Sequence, residues 1–310
     1  MQGIRVKSDR FFCIEIISML KQKWDFIVLG GYSSPTTMLT IEYLKAHKKP
    51  FFIEVDGGFI KKESKLKYFF KKHFISAASG WFSTGNATTK YLTHYGADKN
   101  RCYVYPFTSL FQQDLLQADK LRKCKKALRD ELNMSEEKIV VAVGRFIYGK
   151  GFDILLEATP DIMSNCGIYI IGGIPTKEYQ RIVKEKKLSN VHFIEFKSKS
   201  VLLRYYAAAD IFVLPTRSDA WGLVITEAMA HSLPIVTTDR CIAGLELVID
   251  DYNGYIVPVE NKELLSKAIN NLLINNRYNV FGERCRDIIG GYTLEKMARA
   301  HIEIFERLNE

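Results

Sequence analysis

The sequence predicts an α/β protein with two domains, each built on a mostly parallel, doubly wound sheet. Three observations lead to this fold class. Short apolar runs alternate with stretches of helical periodicity along the chain, which is typical of strand–helix–strand units. A length of 310 residues suits two domains of ordinary size. An apolar content of 47% is sufficient for two cores and excludes a disordered chain.

The first part of the chain begins the alternation with a strand that ends at the glycine pair Gly30 and Gly31. A second buried strand ends at Asp56, which two glycines follow, and Gly96 ends the last helix of this part. The predicted strands lie at residues 24–29, 51–55 and 81–84, and the predicted helices lie at 35–47, 61–72 and 87–95.

A polar helical stretch at residues 120–133 connects this part to the next, so we place the domain boundary after residue 134. In the second part, a buried strand at 138–143 leads into a glycine-containing loop and an amphipathic helix. A second apolar strand at 211–214 leads through a short turn into a helix at 223–230, which Pro234 prevents from continuing. The predicted domains are residues 1–134, residues 135–293, and a C-terminal helix in residues 294–310.

The net charge of +9 is unevenly distributed. Residues 1–134 carry 23 Lys and Arg against 12 Asp and Glu, whereas the remaining residues carry 21 against 23. The first domain should therefore face something negative. The segment from Lys61 to Lys72 combines lysines with Leu66, Phe69, Phe70 and Phe74 at helical spacing, so we predict contact with an anionic membrane surface. A merely solvated face is the alternative; nucleic acid is disfavoured because no reading module accompanies the charge.

Cysteine and hydropathy patterns narrow the class of protein further. The six cysteines are scattered without a Cys-x-x-Cys pair, so neither a zinc site nor a disulfide framework is predicted. No run approaches the ~20 apolar residues that span a bilayer, and no basic-then-apolar leader is present. These patterns predict a cytoplasmic protein, with peripheral attachment to the inner face of the membrane as an option.

The segment around Asp219, Gly222 and Glu227 carries the strongest functional signal. Asp219 and Gly222 lie between the carboxyl end of one predicted strand and the amino end of a helix. At that edge of an α/β sheet, free N–H groups of a helix favour an anionic ligand. Glu227 lies about one turn into the helix, where a carboxylate can accept hydrogen bonds from a diol such as a ribose.

A second segment, Gly144 to Gly151, gives a similar signal. Arg145 and Lys150 stand in the loop at the carboxyl end of the strand at 138–143. Two cations at this place suit a diphosphate, because Arg offers forked hydrogen bonds and Lys a compact charge.

These segments resemble the retaining, GT-B-fold glycosyltransferases of family 4 (glycosyl transferases group 1). In that family two acids are separated by seven residues, as Asp219 and Glu227 are here. Asp219 departs from the family, which usually has Glu. Weaker matches follow at residues 170–173, 205–210 and 253–257, and the resemblance covers about residues 136–295.

The resemblance implies a GT-B fold in which two Rossmann-like domains face each other across a cleft. It also implies that the C-terminal helix in residues 294–310 crosses back to the first domain. It implies transfer of a hexose from a nucleotide sugar to an acceptor hydroxyl, with retention of the anomeric configuration. The reaction would need neither a metal nor a cofactor, and it would serve surface polysaccharide or glycoconjugate assembly. A UDP-sugar is favoured and a GDP-sugar is an option. The implied catalytic residues are Asp219, Arg145 and Lys150. The implied donor-binding residues are Gly144, Arg145, Lys150, Asp219, Trp221, Gly222, Leu223 and Glu227.

The first domain resembles the acceptor side of the same family only weakly, and it is expected to be shortened. Thr84 stands where the family commonly has Ser, and Asp56 stands where many members have His. Both are acceptor-side candidates, and the implied acceptor is a saccharide or a lipid-linked molecule.

Other interpretations of the same residues stay open at this point. Asp219 could cap the following helix, Glu227 could face solvent, and Gly222 could serve only the turn. Arg145 and Lys150 could be ordinary loop cations. A nucleotide-dependent dehydrogenase is disfavoured because no Gly-x-Gly-x-x-Gly joins a strand to a helix. A catalytically inactive relative that binds nucleotide sugars is the main alternative function.

Overall fold

The computed structural model describes residues 4–7 and 10–309. The chain divides into two compact units, of which the first is Met1–Pro106 with Ala298–Glu310 and the second is Phe107–Met297. Each unit has its own cluster of buried apolar residues.

The first unit is built on a four-stranded parallel sheet with helices around it. Its strands are β1 (Ile4–Lys7), β2 (Arg10–Phe12), β3 (Val28–Gly30), β4 (Phe52–Val55), β5 (Gly80–Ser83) and β6 (Cys102–Val104), and its first helices are α1 (Ile16–Leu20), α2 (Pro35–Ala46), α3 (Lys65–Ile75) and α4 (Asn86–His94). The sheet order is β3-β4-β5-β6, with every neighbouring pair parallel. Strands β1 and β2 form a separate antiparallel pair.

The second unit is larger and contains a six-stranded sheet. Its strands are β7 (Lys138–Val143), β8 (Cys166–Ile171), β9 (Val191–Ile194), β10 (Ile211–Leu214), β11 (Ile235–Thr238) and β12 (Gly254–Val257). Its helices are α5 (Gln112–Arg122), α6 (Lys125–Glu131), α7 (Phe152–Ala158), α8 (Lys177–Glu185), α9 (Lys199–Ala208), α10 (Leu223–Ala230), α11 (Ile242–Leu247), α12 (Lys262–Leu273) and α13 (Arg277–Ile289). The strand order is β12-β11-β10-β7-β8-β9, all parallel.

The C-terminal helix α14 (Leu294–Asn309) belongs from Ala298 onward to the first unit. There the ring of Phe305 packs against Phe26, Phe52 and Phe82, with ring centroids 4.4, 6.4 and 5.5 Å away. Aromatic contacts of this kind contribute beyond their buried area, so the helix packs on strands β4 and β5 of the first unit.

The predicted fold class is confirmed, since both large sheets are parallel and alternate with helices. The division into units differs from the predicted boundary at residue 134. Helices α5 and α6 pack on α9, and Lys125 and Arg129 of α6 each lie 2.6 Å from a carboxylate oxygen of buried Asp210. Together with the helix contacts, these ion pairs explain why residues 107–134 belong to the second unit.

Two elements of the first unit differ from the predicted bounds. The strand predicted at residues 24–29 forms only as β3, from Val28 to Gly30. The helix predicted at 61–72 begins at Lys65, because the Ser64 hydroxyl accepts the N–H of Lys67 and caps it. No helix in the described part of the chain is long and apolar enough to cross a membrane.

Candidate functional site

The two loops singled out by the sequence leave the same edge of the second sheet. Strands β7 and β10 are parallel neighbours, so the loop after Val143 and the loop after Leu214 both start at their carboxyl ends. The loops are also hydrogen bonded to each other. The carbonyl oxygen of Gly149 accepts the N–H of Arg217 at 2.8 Å and the hydroxyl of Thr216 at 2.7 Å.

Gly151 sets how closely these loops approach. Its φ is +67°, and a Cβ at this position would lie 2.0 Å from the carbonyl oxygen of Pro215. A side chain is excluded both by the backbone conformation and by space. The glycine therefore holds Lys150 against the loop that carries Asp219.

Lys150 and Asp219 form an ion pair, with 2.5 Å between Nζ and Oδ2. Their side chains are only 19% and 15% exposed. The Lys150 side chain also passes over Gly144, where a Cβ would lie 3.4 Å from its Cδ. The sequence assigns these two residues separate roles, and the structure brings them into direct contact.

Asp219 does not cap helix α10, so that alternative interpretation is wrong. The capping position is held by Gly222, and no side chain caps the helix. Instead, the N–H of Asp219 donates to the carbonyl of Arg240 at 2.8 Å, and Asp219 forms a parallel bridge with Cys241. The loop is thus tied to the segment that follows β11.

Gly222 is needed both for the conformation of the turn and for the close approach of Cys241. Its φ is +95°, a left-handed conformation, and a Cβ would lie 2.9 Å from the sulfur of Cys241. Leu223 follows as the first residue of α10. Trp221 is 2% exposed, and its ring packs edge-on against Phe107 with 5.6 Å between centroids. The Trp221 side chain therefore supports the turn from the interior.

Arg145 is the exposed cation of the site. It follows Gly144 directly, and its guanidinium makes no ion pair or hydrogen bond with any residue that the structure describes. An unpaired guanidinium keeps all of its donors for a bound anion.

Glu227 lies in the second turn of α10 and is half-buried rather than solvent-facing. Its Oε2 accepts the hydroxyl of Tyr206 of α9 at 3.0 Å. Burial raises the pKa of Glu227 above its ordinary value, and the hydrogen bond from Tyr206 and the charge of Lys199 act in the opposite direction. Tyr206 is a residue that the sequence did not assign to the site, because helical spacing alone does not show which side chain meets Glu227.

A hydrogen-bonded group around Arg217 braces the same loops and was also missed. Its guanidinium forms two hydrogen bonds with Asp153, at 2.8 and 2.6 Å, and one with the Tyr148 carbonyl at 2.8 Å. It also stacks 3.9 Å from the centroid of the Tyr148 ring. A forked pair to a carboxylate is among the stronger polar contacts, so this group positions Lys150 indirectly. Nothing in the sequence indicates that Arg217, rather than Arg145, is the arginine that braces these loops.

The acceptor-side candidates lie in the first unit, after strands β4 and β5. Thr84 is 1% exposed, and its hydroxyl lies 3.2 Å from the carbonyl oxygen of Asp56 and 2.8 Å from the hydroxyl of Thr88. The Asp56 side chain is exposed. The structure therefore joins these two residues and uses the Thr84 hydroxyl within the protein.

Among the described residues, no group of three or more His, Cys, Asp or Glu side chains is placed to hold a metal ion. At this sheet edge, Arg145 and Lys150 are the two cations for which the resemblance implies a role in ligand binding.

If Glu227 accepts the ribose hydroxyls of a nucleotide, as the resemblance implies, ligand binding should depend on pH. A carboxylate accepts ribose hydroxyls best when ionised, and the pKa of Glu227 is raised. Affinity for a nucleoside diphosphate should therefore fall as the pH drops through this raised pKa. Tyr206→Phe removes a donor to the carboxylate, so it should move the midpoint to higher pH. Calorimetric titrations of UDP across pH would measure both effects.

Glu227→Gln is the control for this prediction, because it leaves only the pH dependence of the ligand phosphate. An unshifted midpoint in Tyr206→Phe, or the same pH profile in wild type and Glu227→Gln, would contradict the role that the resemblance implies for Glu227.

Comparisons of this chain with a family model and with related proteins agree with one another. Residues 125–289 match the model of the family described as glycosyl transferases group 1. An uncharacterized glycosyltransferase of Methanocaldococcus jannaschii is 31% identical over 171 residues, which are 54% of this chain and 48% of that protein. Spore coat protein SA of Bacillus subtilis is 28% identical over 201 residues, which are 60% of this chain and 53% of that protein. The chain spans about half the length of these relatives.

Solved structures resemble more of the chain. Anabaena HepE in complex with UDP and glucose matches with a TM-score of 0.74 at 17% identity, covering 95% of this chain and 80% of that one. Sucrose-phosphate synthase from Thermosynechococcus elongatus matches with a TM-score of 0.72 at 20% identity, covering 94% and 76%. The likeness shows that the predicted GT-B fold is present.

Proposed function

Since the chain belongs to the glycosyl transferases group 1 family, we propose that it transfers a sugar from a nucleoside diphosphate sugar to an acceptor hydroxyl. The observation that carries this proposal is the contact between two loops that leave neighbouring strands of the sheet. One loop carries two cations, and the other carries an acid. Arg145 and Lys150 lie in one loop, and Asp219 lies in the other, bonded to Lys150. Helix α10 then carries Glu227 within the same unit.

In this proposal the donor lies across these loops. Glu227 accepts the ribose hydroxyls, and Arg145, Lys150 and the N–H groups at the start of α10 hold the diphosphate. One N–H of Lys150 is used by Asp219, which leaves two donors for phosphate oxygens. The second carboxylate oxygen of Asp219 can accept a hydroxyl of the sugar.

The reaction then depends on stabilising the leaving group. As the bond between the anomeric carbon and the diphosphate breaks, negative charge grows on the diphosphate oxygen beside the two cations. Fixed charges at such a place stabilise the transition state more than the bound donor. The oxocarbenium-like sugar is trapped by the acceptor hydroxyl, with retention as the resemblance implies. The chain needs no metal or cofactor in this scheme, because Arg145 and Lys150 supply the positive charge.

The donor and the acceptor are proposed by chemical class. A UDP-sugar is favoured, as HepE was crystallised with UDP and glucose, and a GDP-sugar is the second option. The acceptor is a saccharide or lipid-linked molecule of surface polysaccharide assembly, met by the loops that carry Asp56 and Thr84.

An inactive nucleotide-sugar-binding relative is the second candidate function. Asp219 has a shorter side chain than the Glu usual in the family, and it is already paired with Lys150. A thermal-shift screen over UDP-, GDP-, ADP- and dTDP-sugars identifies the donor, because a ligand at 100 times its Kd adds about 2.7 kcal/mol. Donor binding without release of nucleoside diphosphate in the presence of lipid-linked and free saccharide acceptors would favour the inactive relative.

We further propose that helix α3 attaches the protein to the inner face of a membrane. Its exposed apolar residues are Leu66, Phe69 and Phe70, at 84%, 61% and 49% exposure, whereas Phe74 is buried. Exposed lysines surround them: Lys61, Lys62, Lys65, Lys67 and Lys72. Apolar side chains ringed by lysines fit an anionic lipid surface, to which each lysine contributes about 1 kcal/mol.

Neutralising Lys61, Lys62, Lys65 and Lys72 to Gln should weaken binding to phosphatidylserine vesicles by at least ~10²-fold. Lys71 is left intact, because it is paired with Glu63 at 2.9 Å and belongs to the fold. Vesicle sedimentation measures the effect. The matched control neutralises four exposed lysines of the second unit: Lys177, Lys184, Lys187 and Lys267. Equal vesicle binding by wild type and the α3 variant would refute membrane attachment through this helix.

A further inference from the structure

A cavity lies near the amino end of β10, at the opposite end of this strand from the loop that carries Asp219. It has a volume of about 140 Å³ and adjoins Asp210, at the amino end of β10, and His231, which follows the last turn of α10. Its polar lining includes Arg122, Lys125, Asp210, His231, Ser232 and Tyr278. We refer to it as the Asp210 pocket. A water molecule needs about 10–15 Å³ of such space, so the pocket has room for a small solute.

Two buried polar side chains of the pocket have no hydrogen-bond partner at one atom. These atoms are Nε2 of His231 and Oγ of Ser232, and the residues are 2% and 8% exposed. Buried polar atoms are normally satisfied, and leaving one unpaired costs about 1–3 kcal/mol. Within the described residues, the lining therefore presents two groups that a bound molecule would satisfy.

The other ring nitrogen of His231 fixes what Nε2 can do. Nδ1 lies 2.9 Å from the carbonyl oxygen of Glu227 and must donate its proton there. Burial lowers the pKa of His231 to about 4, so the ring is neutral at pH 7. Nε2 is then an acceptor and needs a donor from the ligand.

The charged groups of the pocket favour an anion. Asp210 is 3% exposed, and it is shared by Lys125 and Arg129 at 2.6 Å each. Arg122 adds a third cation, and its own partner Glu283 is 61% exposed. Burial lowers the pKa of Lys125 most, its ion pair with Asp210 acts in the opposite direction, and the nearby charges of Arg129 and Arg122 lower the pKa further. Among the charged residues that line the pocket, the two cations Arg122 and Lys125 outnumber the one carboxylate, Asp210, and an anion would offset this difference in a partly desolvated place.

We propose that the Asp210 pocket binds a small oxyanion that carries its own hydroxyl group, with inorganic phosphate as the simplest member. Arg122 and Lys125 donate to its anionic oxygens, the Ser232 hydroxyl pairs with another oxygen, and its P–OH donates to Nε2 of His231. Sulfate has the same size and shape but no hydroxyl at neutral pH. The pocket should therefore discriminate against sulfate.

Calorimetric titration of the wild-type protein with phosphate and with sulfate, at constant ionic strength and pH 7, tests this inference. We expect saturable binding of one phosphate and at least ~10-fold weaker binding of sulfate, since sulfate leaves Nε2 unpaired. Ser232→Ala and Arg122→Gln should each weaken phosphate binding by roughly 10-fold. Circular dichroism and retained UDP binding would show that both variants are folded.

Phosphate could also enter the proposed donor site, so Arg145→Ala is the control. Phosphate binding should persist in Arg145→Ala and in the presence of saturating UDP. Absence of saturable phosphate binding, equal affinity for sulfate, or loss of phosphate binding in Arg145→Ala or with UDP would overturn the inference. Failure of the glycosyltransferase proposal itself would instead appear as absent UDP binding with phosphate binding intact.

Discussion

Replacing both Arg145 and Lys150 by alanine is expected to lower kcat by at least ~10²–10³-fold, the loss typical for removal of a single fixed donor from a developing oxyanion. Both cations face the diphosphate in the proposed donor complex, and their contacts strengthen as the leaving group gains charge. KM for the donor should change less than kcat, because an interaction made mainly in the transition state affects kcat. Release of nucleoside diphosphate, followed in a coupled assay, measures the loss.

A matched control removes the same charge elsewhere in the second unit. Arg181 and Lys184 lie exposed on helix α8, and Arg181 forms only a surface pair with Glu185. Alanine at both positions should leave kcat within about twofold, since exposed pairs contribute about 0–1 kcal/mol. Wild-type turnover in the Arg145 and Lys150 double variant would contradict the proposed role of these cations.

Asp210→Ala is expected to reduce the free energy of unfolding by about 3 kcal/mol. The carboxylate accepts Lys125, Arg129 and the N–H of Ile139, at 2.6, 2.6 and 2.8 Å. Removing it deprives two cations and a buried N–H of this carboxylate, although Arg129 keeps its hydrogen bonds to the carbonyls of Ala208 and Glu137. The loss lies at the lower end for a broken buried pair, because the side chains of Lys125 and Arg129 are 35% and 20% exposed.

Urea unfolding of Asp210→Ala, with Asp130→Ala as control, checks this value. Asp130 is an exposed carboxylate of the same helix α6 as Lys125 and Arg129, so its removal should change stability by less than about 0.5 kcal/mol. A loss of under 1 kcal/mol for Asp210→Ala would show that the ion pairs do not hold α6 to the second unit.

The sequence predicted the architecture where its signals are local. The apolar run before Gly144 and the run before Asp219 each formed a buried parallel strand, because burial on both faces leaves few other solutions. Gly222 was also recognisable as a turn residue, because a left-handed conformation at a strand–helix junction favours glycine.

The parts that the sequence did not predict depend on contacts between distant segments. Tyr206 meets Glu227 across two helices, and Lys150 meets Asp219 from 69 positions away. The placement of α6 with the second unit rests on Asp210, which lies far along the chain. Residue type and spacing cannot specify such pairs. Many cations and acids in this chain have local sequences that are equally compatible with a distant ion pair.

The exposed face of α3 illustrates a different limit. Helical spacing placed Leu66, Phe69, Phe70 and Phe74 on one side, but only Phe74 is buried. Amphipathic periodicity predicts an apolar stripe without saying whether the protein itself covers it. Phe74 is part of the core because it packs within the first unit, and helical spacing alone does not show this contact.

The proposed mechanism requires that Glu227, Arg145 and Lys150 bind the same nucleoside diphosphate. A crystal structure with the nucleoside diphosphate that gives the largest thermal shift would show whether they do. We predict ribose hydroxyls within hydrogen-bond distance of the Glu227 carboxylate and phosphate oxygens within reach of both Arg145 and Lys150. A ligand bound at another place, or with its phosphates away from both cations, would contradict the account.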